Sequence, residues 1–330
     1  MTDASEPPEN GGVGDCTDSL PSGSTCQPTC DDGYKISGST LCEAGALTAA
    51  TCSPSMWALQ QKLVAADRAA GDRFGLPVVI SGDVIVIGSH IDDGQLGSAY
   101  VFVSSNSVWS EMVKLSADER AYQDFFGAAL GISEDTIVIG VEYDDDNSKS
   151  QSGSAYVFAL SEGSWMQQAK LTAGSDAASG DFFGHAVAIF DDTIVVGSVN
   201  DDTPVFDSGS AYVFTRSNGN WSQQAKLTAG EDRRSRDEFG SSVAISGDTI
   251  VIGAHLADDD GADSGSAYVF TRSGVTWTRQ TKLTAGSDGG SGDNFGSGVA
   301  ISGEKIVIGA QYTDADALSN AGAAYVFALS

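Results

Sequence analysis

The chain has 330 residues and carries 45 acidic against 17 basic residues, a formal net charge of −28 at pH 7. This charge argues against nucleic acid and anionic membrane surfaces as partners, because both bind clustered Lys and Arg. The sequence contains no apolar run near the ~20 residues of a membrane-spanning helix, so we expect no membrane insertion.

All five cysteines fall within the first 52 residues, among many Gly, Ser, Thr and Pro. They are Cys16, Cys26, Cys30, Cys42 and Cys52. Dense cysteines in such a stretch indicate a disulfide framework formed in an oxidising compartment, with one thiol left over from the odd count. A zinc site is the weaker alternative, because the one close pair is Cys26-x3-Cys30 and no His lies nearby.

Residues 1–55 are predicted to form a separate small module. The segment from Gly23 to Cys52, with its Thr-Cys-Gln-Pro-Thr-Cys run, resembles the second half of a sushi module. This resemblance implies a disulfide-stapled unit that spaces or binds and has no chemistry of its own. The first ten residues lack an apolar signal-peptide core, which suggests that the chain begins partway through a longer secreted protein.

Residues 56–330 are a tandem repeat and are predicted to form one domain. A Phe-Gly pair and an Ala-Tyr-Val-Phe block each recur five times, and the tryptophans are spaced by 52, 56, 56 and 56 residues. The tryptophans are Trp57, Trp109, Trp165, Trp221 and Trp277. A period of this size, with four apolar runs inside it, is typical of repeat architectures.

Each repeat predicts four strands. In the copy that starts at Phe239, residues 243–245 and 249–252 are β-branched runs joined by a tight turn in which Gly247 supplies a positive φ. A third run covers residues 267–270, and a fourth, more polar, covers 277–283. Connections this short favour an antiparallel meander, and runs that are apolar on both faces need a neighbour on each side. The predicted fold is therefore all-β, a β-propeller of four-stranded antiparallel blades.

The two ends of the repeat region raise the question of closure. The chain has five copies of strands one to three and stops at Ser330 without a fifth Trp-containing outer strand, whereas residues 57–63 form an orphan Trp strand. We expect this orphan strand to complete the last blade and close a five-bladed ring, which would remove exposed strand edges. The alternative is a piece of a longer propeller.

These repeats resemble FG-GAP repeats, which occur in the propeller of integrin alpha subunits and in many microbial and algal surface proteins. The Phe-Gly pair is intact in all five copies, and the later Gly-Ala survives at Gly253 and Gly309. The resemblance implies an extracellular or cell-surface protein that binds or adheres. The calcium loops of the family do not carry over, because the connection between strands one and two is a turn such as Ser246-Gly-Asp248, with too few oxygens for calcium.

Acidic residues concentrate instead in two kinds of connection that open on the same face of a four-stranded meander. Of the 37 acidic residues after Trp57, 27 lie in these connections, with seven basic residues. We call this surface the acidic face. It comprises residues 90–97, 143–153, 200–209, 256–265 and 312–322, between strands two and three, and residues 64–73, 116–125, 172–182, 228–238 and 284–294, between blades.

Two interpretations of the acidic face remain open. A single Asp can serve as a turn residue or cap that binds the local backbone, as expected for the Asp that precedes each Phe-Gly. For the face as a whole we favour function, because so dense a field of like charge opposes folding unless it is screened or bound. The face would then bind divalent cations, with Ca²⁺ the best suited, or a partner. The predicted metal ligands are Asp144, Asp146, Asp258, Asp260 and Asp263.

Catalytic chemistry is not expected. Ser-Gly-Ser recurs in repeat after repeat as turn chemistry, and His90, His185 and His255 have no nucleophile placed near them by the sequence, which favours structural roles. We therefore predict a non-catalytic extracellular binding or adhesion module with a protein or glycan ligand on the acidic face. The alternatives are a docking domain of a larger secreted enzyme and a carbohydrate-binding lectin.

Overall fold

A computed structural model describes residues 8–16, 21–31, 34–43, 46–54, 59–146, 148–202, 205–314 and 318–329. The chain divides into two compact units, Met1–Lys62 and Leu63–Ser330. Trp57 and Asp316, which the sequence assigns to the orphan strand and to the acidic face, lie outside the described residues.

The first unit is built from short strands and two disulfides. The strands are β1 (Gly11–Gly12), β2 (Thr25–Cys26), β3 (Thr29–Cys30), β4 (Tyr34–Ile36), β5 (Thr40–Glu43), β6 (Ala46–Thr48) and β7 (Cys52–Pro54). They pair as β1–β3, β2–β5–β6 and β4–β7. Cys16 is bonded to Cys26 and Cys30 to Cys52, while Cys42 is buried and belongs to neither bridge. The expected disulfide-stapled module is thus present, and its pairing, which the sequence left open, is now assigned.

The second unit contains the repeats, each folded as one antiparallel sheet that we call a blade. Blade 1 is β8 (Val78–Ser81), β9 (Val84–Ser89), β10 (Ser98–Ser105) and β11 (Val108–Leu115); blade 2 is β12 (Ala129–Ser133), β13 (Thr136–Val141), β14 (Ser154–Ser161) and β15 (Ser164–Leu171). Blade 3 is β16 (Phe183–Phe190), β17 (Thr193–Ser198), β18 (Ser210–Ser217) and β19 (Asn220–Leu227); blade 4 is β20 (Phe239–Ser246), β21 (Thr249–Ala254), β22 (Ser266–Ser273) and β23 (Thr276–Leu283). Blade 5 is β24 (Phe295–Ser302), β25 (Lys305–Ala310) and β26 (Ala323–Ala328).

Short helical turns lie in the connections between these strands. The turn at Asp92–Gln95 is irregular, because Asp93, Gly94 and Gln95 have positive φ, and 3-10 turns occur at Gly174–Asp176, Gly230–Asp232 and Gly286–Asp288. The second unit is therefore all-β, as its β-branched and alternating runs predict.

Within each blade the strands pair in chain order, so the predicted meander is confirmed. Strands one and two are joined by a two-residue turn whose first residue has a positive φ, 57° at Gly247 and 49° at Asp191. Strand four carries a bulge opposite the Val–Phe step of strand three, so that Gln168 in blade 2 and Gln224 in blade 3 have no partner across the ladder. A bulge of this kind redirects the side chain of the extra residue.

Neighbouring blades pack through the repeated motif residues. The Phe239 ring is fully buried: it meets the Tyr268 ring of its own blade edge to face, with ring centroids 5.2 Å apart, and it lies in one apolar cluster with Ala211 and Val213 of blade 3. The glycine of strand two faces the Phe-Gly backbone of the next blade: a Cβ added at Gly253 would lie 2.1 Å from the Gly296 carbonyl oxygen. The Phe-Gly pair and the strand-two glycine are therefore the two halves of one blade-to-blade contact, because only glycine permits so close an approach.

The expected closure of the ring is wrong for this structure. Blade 5 has three strands, the five sheets do not close, and residues 59–63 of the orphan segment form no strand. Leu63 and Ala65 instead pack against Tyr100 and Phe102 of blade 1. They repeat the contact that Leu115 and Ala117 make with blade 2, so these two residues already have a partner at the start of the array.

Candidate functional site: the acidic face

The two kinds of acidic connection are brought together, as the meander predicts. In each blade pair, a backbone N–H of the connection that enters the next blade donates to a carbonyl of the connection between strands two and three. These bonds are Gln123 to Gln95 (3.1 Å), Phe182 to Gln151 (3.2 Å), Arg236 to Phe206 (3.1 Å) and Asn294 to Asp263 (3.1 Å). The acidic face is thus a continuous row of paired loops.

The Asp that precedes each Phe-Gly holds its own loop. The Asp181 carboxylate accepts the Ala178 N–H at 2.6 Å, and the Asp237 carboxylate accepts the Arg234 N–H at 2.6 Å. Both carboxylates are buried. These aspartates have the turn and cap role expected of them, since a side-chain acceptor satisfies a backbone donor that the loop leaves without a partner.

Burial of these carboxyls disfavours their charged form. Burial and then the nearby carboxylates of Asp201 and Asp202 together raise the pKa of Asp181 to about 6. The pKa of Asp124 is raised to about 6 in the same way, by burial and then by Asp144 and Asp145. Carboxylates from the two connections therefore lie near enough to repel each other, which is the crowding that the sequence predicted.

A lysine from strand four lies among the carboxylates of each complete blade. In blade 2, the Lys170 ammonium lies 2.9 Å from Asp144 Oδ2 and 3.4 Å from Asp146 Oδ1. The Tyr156 hydroxyl donates to the same Asp144 oxygen at 3.1 Å. Equivalent Tyr–Asp–Lys sets are Tyr100, Asp92 and Lys114 in blade 1 and Tyr212, Asp201 and Lys226 in blade 3. In blade 4, Lys282 contacts Asp259 and the Tyr268 ring, but the buried Tyr268 hydroxyl has no hydrogen-bond partner among the described residues.

The charges of each set stabilise one another. Burial disfavours the charged forms of Lys114 and Asp92, but their mutual contact outweighs it, so the pKa of Lys114 is raised and that of Asp92 is lowered. Burial, followed by the charge of Asp144, raises the pKa of Tyr156 to about 12. The raised pKa values of Lys114 and Lys170 keep these two ammonium groups charged at neutral pH, so they neutralise part of the acidic face from within.

This role of the lysine was not predicted from the sequence. The signal was present, because a Lys-Leu pair ends every copy of strand four at a fixed distance from the Trp. What the sequence did not show is that the lysine reaches back over the Tyr ring, at 5.5 Å from Lys170 Nζ to the Tyr156 centroid, to the connection between strands two and three. Arg279 adds a second cation in blade 4, where its Nη1 lies 2.7 Å from Asp232 Oδ2.

The five predicted metal ligands fall into two separate groups. Asp144 and Asp146 meet at Lys170, as described above. In blade 4, Asp258 Oδ1 accepts the Asp263 N–H at 2.9 Å, and the Asp260 N–H donates to Ser264 Oγ at 3.0 Å. An open cavity of about 530 Å³ lies beside this second group, lined by residues that include Asp232, Asp237, Asp258 and Asp259.

One group of described residues gathers three potential metal-ligand atoms within 4.8 Å of one another. It is Asp15, Cys16 and Cys26 in the first unit. The two cysteines are joined in a disulfide, which removes the thiolates that a metal would need. Calcium binding on the acidic face stays a prediction.

The three histidines lie near the starts and ends of inner strands. His185 Nδ1 lies 2.5 Å from Glu142 Oε2 of the preceding blade, and His255 Nε2 lies 3.6 Å from Glu238 Oε2. Burial opposes protonation of His185, but Glu142 outweighs it and raises the pKa of this imidazole. The His90 ring packs edge to face on Phe125, with centroids 6.3 Å apart. These contacts join neighbouring elements and are consistent with structural roles.

The fold and the repeated contacts define a class of protein, a tandem array of β-propeller blades. Among the described residues, no helix is long and apolar enough to cross a membrane. The model of the FG-GAP repeat matches five times, at residues 57–102, 109–158, 165–214, 221–270 and 277–327. The chain therefore belongs to the FG-GAP repeat family, as the Phe-Gly pairs predict. A comparison with curated proteins found no significant match.

Proposed function

We propose that the protein is a non-catalytic extracellular binding module whose acidic face binds a cationic partner or divalent cations. The observation that carries this proposal is the pairing of two acidic connections at each of the four blade junctions, where burial and then neighbouring carboxylates raise the pKa of Asp124 and of Asp181 to about 6. The FG-GAP repeats and the two disulfides are typical of extracellular proteins and support that location.

The blade 4 part of the acidic face is the best candidate for the binding site. Its cavity is open to solvent, and Asp258, which lines it, is exposed. The Arg279 and Lys282 cations pair with Asp232 and Asp259 and leave Asp258, Asp260 and Asp263 without a cation among the ion pairs of the described residues. A hard cation with flexible oxygen coordination, or the ammonium of a partner lysine, would relieve the repulsion that remains.

The test is a thermal melt in EDTA, in millimolar calcium and in sodium chloride of matched ionic strength. Binding to the folded state alone stabilises by roughly 2.7 kcal/mol at a hundredfold excess over Kd, whereas general screening does not distinguish the two salts. We expect a rise specific to calcium that the double variant Asp258→Asn, Asp260→Asn abolishes. The matched control is Asp83→Asn with Asp191→Asn, two exposed acids in the turns between strands one and two.

Equal melting temperatures in calcium and in matched sodium would remove the metal hypothesis. The cationic-partner form is then tested with a Lys-rich peptide by calorimetry at two salt concentrations. Binding that weakens with salt and with the Asp258, Asp260 variant supports it, and no binding to the parent chain rejects it.

A second candidate, a carbohydrate-binding function, is favoured by exposed aromatic rings on the acidic face. Tyr122 and Phe206 are more than half exposed, and each lies beside acidic residues of its connection. Rings next to carboxylates can stack on a sugar while the carboxylates accept its hydroxyls. A glycan array with the parent chain and with Tyr122→Ser would decide it: a positive array that Tyr122→Ser leaves unchanged would move the site elsewhere.

A further inference from the structure

The outer side of blade 5 exposes an apolar surface that every earlier blade buries. We call it the trailing face; it consists of Ala300, Val307, Ala324 and Val326, and all four are exposed. Val307 is 40% exposed and Val326 70%. The equivalent residues of blade 4, Val251 and Val269, are 0% and 7% exposed, because Val299, Ile301, Ile306 and Phe327 of blade 5 cover them. The trailing face is thus half of a blade-to-blade interface.

The matching half is exposed at the other end of the array. We call it the leading face; it is formed by Val78 and Ile80 on strand β8 of blade 1, and Ile80 is 63% exposed. The equivalents in blade 4, Val243 and Ile245, pack against Val195 and Val213 of blade 3. The chain therefore presents both partners of one repeated interface, each without its complement among the described residues.

The glycine pattern shows that the trailing face can admit another blade. A Cβ added at the strand-two glycine of an earlier blade would lie 2.0 to 2.3 Å from the Phe-Gly carbonyl oxygen of the next blade, as measured at Gly88, Gly140, Gly197 and Gly253. At Gly309 in blade 5 the nearest atom is 3.7 Å away. Blade 5 therefore keeps the flat glycine surface that receives a Phe-Gly turn, with open space where that turn would lie.

We propose that the trailing face of one chain binds the leading face of a second copy, head to tail. The four internal interfaces identify the occupant: residues of the same type, in the same register, bury each other at every blade junction. The described strands of blade 1 and blade 5 in the same molecule do not form a packed interface with each other. Exposed apolar faces that are complementary on one molecule generate a heterologous contact, which forms chains or closed rings of copies.

The net charge of −28 sets the conditions for this association. Two strongly acidic chains repel over a distance that salt shortens, from a Debye length of about 30 Å at 0.01 M to about 8 Å at 0.15 M. We therefore expect the assembly to strengthen with sodium chloride, the reverse of the behaviour of an interface held by ion pairs.

The experiment is sedimentation velocity on the full chain at several concentrations in 0.15 M and 0.5 M sodium chloride. The parent should form concentration-dependent oligomers. Val326→Asp blocks the trailing face and Ile80→Asp the leading face, so each variant alone should be a monomer. Mixed in equal amounts, they should form a dimer and nothing larger, because one intact face of each kind remains. This complementation is specific to a head-to-tail contact.

Two further variants keep the result interpretable. Val275→Asp places the same charge at a valine that is 73% exposed in the turn between β22 and β23, away from both faces, and should associate like the parent. Gly309→Ala adds one methyl group in open space and should leave the melting temperature unchanged while weakening association at least tenfold.

A parent chain that stays monomeric at 100 μM in 0.5 M salt would overturn the proposal. So would single variants that still associate, or a Val275→Asp chain that does not. A monomeric parent whose melting temperature falls in Val326→Asp would indicate that the trailing face is covered within one molecule, and this outcome also rejects the second copy as its occupant.

Discussion

Blades 4 and 5 share the same core sequence and differ in their surroundings. Both contain a Phe-Gly pair, a Val-Ala-Ile run, an Ile-Val-Ile-Gly-Ala run and an Ala-Tyr-Val-Phe block. Blade 4 has a blade on each side and four strands, whereas blade 5 has a blade on one side and three strands. Val269 is accordingly buried and Val326 exposed.

Strand formation in this protein therefore depends on local sequence, whereas burial depends on the neighbouring blades. Strands β24, β25 and β26 pair in the same register as β20, β21 and β22, even though one of their faces has no cover. Hydrogen bonds and tight turns suffice to define the sheet, and the stability of each sheet then depends on its neighbours, as in other linear repeat arrays. Substitutions at equivalent positions of interior and end blades should therefore have unequal effects.

The largest difference in the free energy of unfolding between an interior and an end blade is expected when the repeat tryptophan is replaced. Trp165 is buried in the interface of blades 1 and 2, whereas Trp109 of blade 1 is half-buried. Trp165→Ala should lower the free energy of unfolding by about 3–5 kcal/mol, because it leaves a large cavity between packed sheets. Trp109→Ala should cost clearly less. Urea titration followed by circular dichroism measures both, and a loss under ~1 kcal/mol at Trp165 would mean that the position is exposed in solution.

The next largest difference in stability between an interior and an end blade is expected for a methyl group added at the strand-two glycine. Gly253→Ala places a Cβ 2.1 Å from the Gly296 carbonyl oxygen, so the two backbones must move apart, and we expect a loss of about 3 kcal/mol. Gly309→Ala is the matched control, since its surroundings are open and its effect should stay within about 0.5 kcal/mol at protein concentrations where the chain is monomeric. Equal losses at the two glycines would contradict the packing described for this motif.

The buried carboxyl of Asp181 should make an interior blade sensitive to pH. Its folded pKa of about 6 lies above the ordinary value of 3.8, so the folded chain holds this proton more tightly than the unfolded chain. The stability that this group contributes is therefore complete below pH 3.8 and is lost as the pH rises through about 6.

Asp181→Asn keeps an acceptor for the Ala178 N–H but does not ionise. It should flatten the fall in stability between pH 4 and pH 7 by about 1–3 kcal/mol. The control is Asp118→Asn, an exposed acid of the preceding connection, which should keep the slope of the parent. If Asp181→Asn also keeps the parent slope, the carboxyl is not the source of the pH dependence.

The smallest expected effect is an increase in stability, from a new hydrogen bond to the Trp165 indole. The Trp221 Nε1–H donates to Gln168 at 2.9 Å and the Trp277 Nε1–H to Gln224 at 2.7 Å, each glutamine being the bulge residue of the preceding blade. The buried Trp165 Nε1 has no hydrogen-bond partner, because the equivalent bulge residue of blade 1 is Met112. Met112→Gln should raise the free energy of unfolding by about 0.5–1.5 kcal/mol. The reciprocal variant, Gln168→Met, should lower the free energy of unfolding by a similar amount. A loss of stability in Met112→Gln would show that the new side chain does not reach the indole.

Much of the fold was predictable because it depends on short stretches of sequence. β-Branched runs, alternating polarity and Gly or Asp turns specify the strands and their order, and the repeated Phe-Gly pair specifies where one blade meets the next. The same local logic predicted that the Asp before Phe-Gly caps its loop, and Asp181 and Asp237 do so.

The details of the acidic face were not predictable, because they depend on the path of the loops in space. In blades 2 and 3 the carboxylate next to Lys170 and Lys226 comes from Asp144 and Asp201, whose carbonyls accept the N–H of Gly153 and Gly209. In blade 4, Ala257 occupies that backbone position. Asp259, two residues later, supplies the carboxylate to Lys282. Within a run of several Asp residues, the sequence does not show which carboxylate pairs with the lysine. The position of the lysine in the folded blade determines it.

The repeat, the strands, the meander and the acidic side of each blade were predictable from the sequence, since each follows from residues a few positions apart. Whether the array closes was not predictable in this way. It depends on the sum of small rotations between successive blades and on which end receives the segment at Leu63 and Ala65, which packs on blade 1. The sequence of one repeat does not specify this sum. It also does not specify whether a neighbour covers the blade, so equivalent residues are buried in blade 4 and exposed in blade 5.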